Sequence, residues 1–202
     1  MAMAKLYCLM GKSASGKDTF YKDLMEEEKL HLKTVVSYTT RPPREGEKDG
    51  VEYHFVSRQQ LEDYDQAGKV IECRNYPTVH GIWSYFTVDD GQIDPKGQQD
   101  MLIIGTLESY EKLRDYFGKE YVEPIYIHVE DGERLMRALL RERQQEQPKY
   151  AEMCRRYLAD EKDFSQENLE KCEITEIYEN SNYENCLQQI IRNIEAHHKN
   201  VV

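Results

Sequence analysis

The sequence predicts an α/β protein built on a parallel sheet flanked by helices, and three observations carry that expectation. Short apolar runs without alternation stand at Leu6–Met10, Met101–Ile104 and 125–129, as suits strands buried on both faces. Each is followed by residues at helical spacing, such as Phe20, Tyr21, Leu24 and Met25, or Leu107, Tyr110, Leu113 and Phe117. Strands alternating with helices make βα units and hence a parallel sheet. A chain of 202 residues is long enough for one domain with its own core, without a disulfide frame or structural metal.

Taken in order, strand Leu6–Met10 leads through a glycine-rich loop into a helix over 17–28. Strands are expected at 34–38 and 51–56, then a short helix that Ser57 and Gln60 cap reciprocally through Tyr64. Further strands fall at 70–73 and 82–88. Met101–Ile104 is a strand, Leu107–Phe117 a helix, 125–129 a strand and 132–143 a helix. The segment Gln144-Gln145-Glu146-Gln147-Pro148 ends that helix. One helix over 149–169, a strand over 173–178 and a helix over 184–197 complete the chain. Two clusters interrupt the βα rhythm: the short strands between 34 and 90 and the charged helices around 145.

The formal net charge of −11 speaks against nucleic acid or an anionic membrane surface as partner, since both need a positive field. Cys8, Cys73, Cys154, Cys172 and Cys186 are dispersed and odd in number, so they read as reduced structural thiols. No apolar run has the length of a membrane span, and the first residues run straight into a strand with no room for a signal peptide. A cytoplasmic protein, monomeric or homodimeric, is expected.

The chemistry begins at Gly11-Lys12-Ser13-Ala14-Ser15-Gly16-Lys17-Asp18-Thr19. Glycines at its two ends let the backbone curl so that successive N–H groups face one anion. The following helix adds its positive end, and Lys17 is placed to follow charge on a transferring phosphoryl group. The loop makes Gly11, Ser13, Ala14, Ser15, Gly16, Lys17, Asp18 and Thr19 candidate contacts for a nucleotide triphosphate. Downstream lies Ser37-Tyr38-Thr39-Thr40-Arg41-Pro42-Pro43-Arg44, then Glu45-Gly46-Glu47-Lys48-Asp49-Gly50-Val51-Glu52-Tyr53-His54-Phe55-Val56. Arg41 and Arg44 beside stiff prolines make a fork suited to one phosphate, with Ser37 and Tyr53 as hydroxyl donors.

With the loop upstream, this second motif resembles the guanylate kinase family, whose hallmark is T-T-R-x-P-R followed by G-E-x-D-G-x-x-Y-x-F. The resemblance is strongest over residues 5 to 75 and looser beyond. It implies a phosphate-loop core (1–33, 91–136 and 170–202), a β-rich monophosphate-binding subdomain (34–90) and a helical lid (137–169). It implies ATP and Mg2+ as cofactors, a nucleoside monophosphate as acceptor, GMP first among them, and small-molecule nucleotides as the partners. By the same resemblance Glu72 reads guanine, Arg137, Arg141 and Arg156 close over the triphosphate and make up the catalytic set with Lys17 and the acceptor-side Arg41, and Asn180 helps to hold the donor.

The sequence departs from the family pattern in three places. Asp18 stands where a magnesium-binding serine is expected, and its carboxylate is an oxygen ligand that this metal accepts. Met101-Leu102-Ile103-Ile104-Gly105-Thr106 lacks the carboxylates of the family's D-x-D strand. Gly81-Ile82-Trp83-Ser84-Tyr85-Phe86-Thr87 replaces a G-N-Y-Y-G-T segment at a longer spacing from Glu72, which leaves Tyr85 and Thr87 as candidate phosphate and base contacts. The alternatives are a related kinase for another nucleotide or small phosphorylated acceptor, and a non-catalytic binding module.

Overall fold

The computed structural model describes residues 3–78 and 81–199. In chain order the elements are β1 Leu6–Met10, α1 Lys17–Glu26, a 3-10 turn at Glu28–Leu30, β2 Lys33–Thr34, β3 Tyr38–Thr39, β4 His54–Phe55, α2 Arg58–Gln66, β5 Val70–Thr78 and β6 Gly81–Val88. Then come β7 Met101–Ile104, α3 Leu107–Phe117, β8 Val122–His128, α4 Asp131–Arg143, α5 Tyr150–Asp163, α6 Gln166–Lys171, β9 Ile177–Glu179 and α7 Tyr183–Lys199.

Five strands form a parallel sheet in the order β2-β7-β1-β8-β9. A second sheet runs β4-β3-β6-β5, with β3 antiparallel to β6 and β6 to β5. The pleat of β1 divides the core. Leu6, Cys8 and Met10 face a layer with Tyr110 and Leu113 of α3, while Tyr7 and Leu9 face Phe20 and Leu24 of α1 and Ile190 and Ile194 of α7. Both faces of β1 are therefore buried, which explains why its sequence shows no alternation. Burial pushes the Cys8 thiol up to about 12, and all five cysteines are free. Ser57 and Gln60 form the reciprocal cap on α2, and Thr106 and Ser109 form another on α3.

The parallel sheet and its helices match the expected fold class, with local corrections. The run 34–38 is two short strands in different sheets. The Val35 N–H still donates to Leu102 in the first sheet, whereas the Ser37 carbonyl already accepts from His54 in the second. Val35 and Val36 are buried at the crossing, which is why the run looks like one strand. Helix 149–169 is broken: α5 ends at Phe164, whose ring stacks on Tyr126 at 5.4 Å, and Ser165 caps α6. Within 51–56 only His54 and Phe55 belong to a strand, β5 runs on to Thr78, and the strand expected over 173–178 is Ile177–Glu179, since Glu173 sits in a turn at φ 58°.

Candidate active site

β1 delivers the glycine loop to the carboxyl edge of the parallel sheet. Gly11 is required there: a Cβ would meet Ser15 Oγ at 2.6 Å and the Ile127 carbonyl at 2.9 Å. Gly16 caps α1 in the left-handed region at φ 89°, where a side chain is costly. Ala14 also has positive φ, 65°. Successive left-handed and right-handed residues turn N–H groups inward as an anion cradle. Asn180 is buried and donates from Nδ2 to the Ser15 carbonyl at 3.0 Å, tying the end of the sheet to the loop. Ser15 Oγ is buried without a partner among the described residues. Lys17 is half-buried and makes no ion pair among them, and Asp18 and Thr19 are exposed on the first turn of α1.

The structure places three acidic residues around this cradle that the sequence analysis did not single out. The Ser13 N–H donates to Asp160 Oδ2 at 2.7 Å. Lys12 Nζ donates to Glu161 at 2.7 Å and to Asp131 at 3.4 Å. Arg134, only 1% exposed, binds the same carboxylates from α4, with Nη2 at 3.0 Å from Asp131 and 2.5 Å from Glu161. Its Nη1 donates to the Ser13 carbonyl at 3.2 Å, and the guanidinium lies 4.4 Å from the Tyr157 ring centroid. α4 and α5 are thus bolted to the loop by a partly buried ion-pair network.

Across the cleft, the turn after β3 holds Arg41 buried, at 3% exposure. Its two Nη atoms donate to Glu47 at 2.6 and 2.7 Å, and Nε donates to the Tyr85 hydroxyl at 3.2 Å. Glu47 also accepts the Arg44 N–H at 2.7 Å. The Arg41 guanidinium holds the Glu47 carboxyl down to about 2. The expected fork is therefore one arginine: Arg41 points inward, whereas the Arg44 side chain is exposed and contributes its backbone N–H. The guanidinium is thus engaged by a carboxylate of the chain itself. Tyr53 packs edge-on to Tyr85 at 5.5 Å and lies 5.3 Å from the Arg41 guanidinium. Ser37 is buried beside β3.

Glu72 is also buried, at 4% exposure. It accepts from Arg74 Nε at 2.9 Å and Nη2 at 3.2 Å, and from Thr87 Oγ1 at 2.8 Å. Arg74 Nη1 reaches Thr106 Oγ1 at 3.4 Å. Tyr85 and Thr87, two apart on β6, thus serve two neighbouring buried groups, Arg41 and Glu72. Burial and then Tyr85 raise the Tyr53 hydroxyl, Arg74 and Arg41 lower it, and Asp18 raises it. Tyr53 thus lies beside the arginine turn and Tyr85.

The expected lid arginines pair with acidic neighbours on their own helices or face solvent. Arg137 pairs with Glu133 at 2.9 Å and shares a cleft with Glu130, Glu179 and Asn180. Arg156 pairs with Glu152 at 3.0 Å, and Arg141 is exposed.

A strand, a glycine loop and a helix at the carboxyl edge of a parallel sheet, facing an arginine turn on a small second sheet, define a phosphate-loop nucleotide-binding fold. The guanylate kinase family model matches residues 3–197, and the chain belongs to the guanylate kinase family. It is 34% identical over 96 residues to the guanylate kinase of Aliivibrio fischeri, a match covering 45% of this chain and 46% of that relative. It is 42% identical over 77 residues to the guanylate kinase of Clostridioides difficile, covering 38% and 37%. The matched stretch thus spans less than half the length of these relatives. The crystal structure of guanylate kinase from Anaplasma phagocytophilum shares the fold with a TM-score of 0.69 at 20% identity, over 97% of this chain and 87% of that one.

Proposed function

We propose that the protein transfers a phosphoryl group from ATP to a nucleoside monophosphate, with GMP as the leading acceptor. The observation that carries this reading is the glycine loop at the carboxyl edge of the parallel sheet, where a Cβ on Gly11 would meet Ser15 Oγ at 2.6 Å and Asn180 is tied to the Ser15 carbonyl at 3.0 Å. A donor phosphate on the loop and an acceptor phosphate on Arg41 would lie on the two sides of one cleft. Family membership and the guanylate kinase names of the relatives support the same assignment.

In this reading the loop N–H groups and the positive end of α1 hold the donor phosphates, and Lys17 follows the charge as it moves. Arg41, Tyr85 and Tyr53 hold the acceptor phosphate, for which the Glu47 carboxylate gives way. Residues 34–90 act as the acceptor module and 137–169 as the lid, whose Arg137, Arg141 and Arg156 add positive charge over the donor. Catalysis is by position and electrostatics, without a covalent intermediate. Mg2+ fits this arrangement through its donor chemistry, since magnesium binds through one or two carboxylates with substrate phosphates. Asp18, exposed beside Lys17, would supply that carboxylate, and the ion would neutralise charge between the phosphates. Among the described residues no helix is long and apolar enough to cross a membrane, and five free thiols suit a reducing cytoplasm.

The test is release of ADP from ATP in the presence of GMP, AMP, CMP and UMP, each alone. Turnover with GMP is expected; absence of turnover with every acceptor would overturn the assignment.

A further inference from the structure

The Glu72–Arg74 pair changes what the floor of the acceptor site can read. A carboxylate offers about four lone-pair positions on its two oxygens. Oε1 of Glu72 already takes the Thr87 hydroxyl and Arg74 Nη2, and Oε2 takes Arg74 Nε. One position remains, on Oε2. A free carboxylate would accept the N1–H and 2-amino N–H of guanine side by side, one on each oxygen. Glu72 as it stands accepts one of them.

The arginine that occupies it is itself well buried, with an 11% exposed side chain against 1% for Glu72. Its position has a simple cause: residues two apart on a strand face the same way, so Glu72 and Arg74 of β5 are held together by the pleat. β7 and the residues after it, Met101 to Thr106, supply no acidic side chain to draw Arg74 away. They meet it with the neutral Thr106 hydroxyl. The floor therefore combines a guanidinium, with five N–H donors of which Glu72 and Thr106 engage three, and one free carboxylate lone pair. A donor beside an acceptor complements a ring carbonyl beside a ring N–H, the 6-oxo and N1–H edge common to guanine and hypoxanthine. Once N1–H is bound, Glu72 has no second lone pair left to accept a 2-amino group.

We propose that Arg74 is a specificity-determining residue of the acceptor site, and that the site takes 6-oxopurine nucleoside monophosphates without reading the 2-amino group. This rests on the phosphoryl-transfer assignment for the location of the acceptor, and the test separates the two. The ratio of kcat/KM for GMP to that for IMP is measured with ATP for the wild type and for Arg74→Met, which keeps the stem and removes the donors. The wild-type ratio is expected within about threefold of unity, because losing the 2-amino group forfeits no buried hydrogen bond. In Arg74→Met both Glu72 oxygens open, and the ratio should rise at least about tenfold in favour of GMP, as for a newly made charge-assisted contact. A purely structural role for Arg74 would lower both values and leave the ratio alone.

A wild-type preference for GMP of about a hundredfold, or an unchanged ratio in Arg74→Met, overturns the proposal. Should the variant fail to fold, the wild-type ratio decides alone. If no acceptor is turned over, the catalytic assignment falls, and calorimetric titration with GMP and IMP takes the place of the rates: equal affinity sustains the role of Arg74, and preference for GMP, or no binding of either, ends it.

Discussion

The backbone N–H of Ser13 donates to the carboxylate of Asp160, 147 residues away, at 2.7 Å. A phosphate-loop N–H is thus already held by an acidic side chain of α5, so ATP phosphates and Asp160 compete for one donor. The Asp160→Ala variant is expected to bind ATP up to about tenfold more tightly, since it frees a donor and removes a like charge. Calorimetric titration of both proteins checks this; weaker binding would mean that Asp160 supports the bound state.

Lys17→Ala should abolish phosphoryl transfer and leave the fold intact. Lys17 is half-exposed and makes no ion pair among the described residues, so little packing depends on it. The check pairs ADP release with a thermal melt: near-normal turnover, or a large loss of melting temperature, contradicts the expectation.

Arg41 and Arg44 should separate. Removing the Arg41 guanidinium takes a buried charge-assisted donor from the acceptor side, at a cost of about 1.5–3 kcal/mol, or roughly ten- to hundredfold in affinity for the monophosphate. Arg44 is exposed and contributes its N–H to Glu47, so Arg44→Ala should have the smaller effect. Titrations of GMP and ATP against both variants check this, and ATP binding should change little in either.

Arg134 is the structural counterpart. Deleting one side of a buried ion pair commonly costs about 3–5 kcal/mol because the partner charges are stranded. Arg134→Met would leave Asp131 and Glu161 to Lys12, and their side chains are 42% and 36% exposed, which places the expected loss below that range, at about 1–3 kcal/mol. Urea denaturation of the variant and the wild type measures it, and a change in stability under about 1 kcal/mol would show that Lys12 alone holds the network.

Glu47 should lend the fold an acid sensitivity of its own. Its ordinary value is 4.5 and the folded value is about 2, chiefly because Arg41 donates to it. A folded value below the unfolded one means stability present above pH 4.5 and lost as pH falls toward 2. Stability curves between pH 6 and 2 should therefore flatten in Glu47→Gln relative to the wild type.

The βα rhythm, the glycine loop and the arginine turn were legible because each rests on local chemistry: unalternating apolar runs, glycines where N–H groups converge, arginines beside prolines. The ion pairs that complete the site were not. Glu47 reaches Arg41 only because the turn folds back, and nothing in the order of residues shows that. Arg134 reads as one more charge on a polar helix, yet α5 buries it. The break at Phe164 is hidden because helical spacing continues past it into α6. Arg74 was within reach, since two-residue spacing puts it on the same strand face as Glu72.

The crossing between the sheets sets the mechanics of the site. Three residues, Val35, Val36 and Ser37, join β2 to β3, a tether of roughly 10 Å at full stretch. The return path is fastened to it: the Gln92 side chain accepts from the Val36 N–H at 2.9 Å and donates to its carbonyl at 3.3 Å, and the Tyr38 hydroxyl donates to Asp90 at 2.6 Å. Two strands of chain are clamped at the same height, and Arg74 Nη1 of β5 adds a third fastening to Thr106 Oγ1 at 3.4 Å, so Arg41 and Glu72 are carried by one piece of the fold.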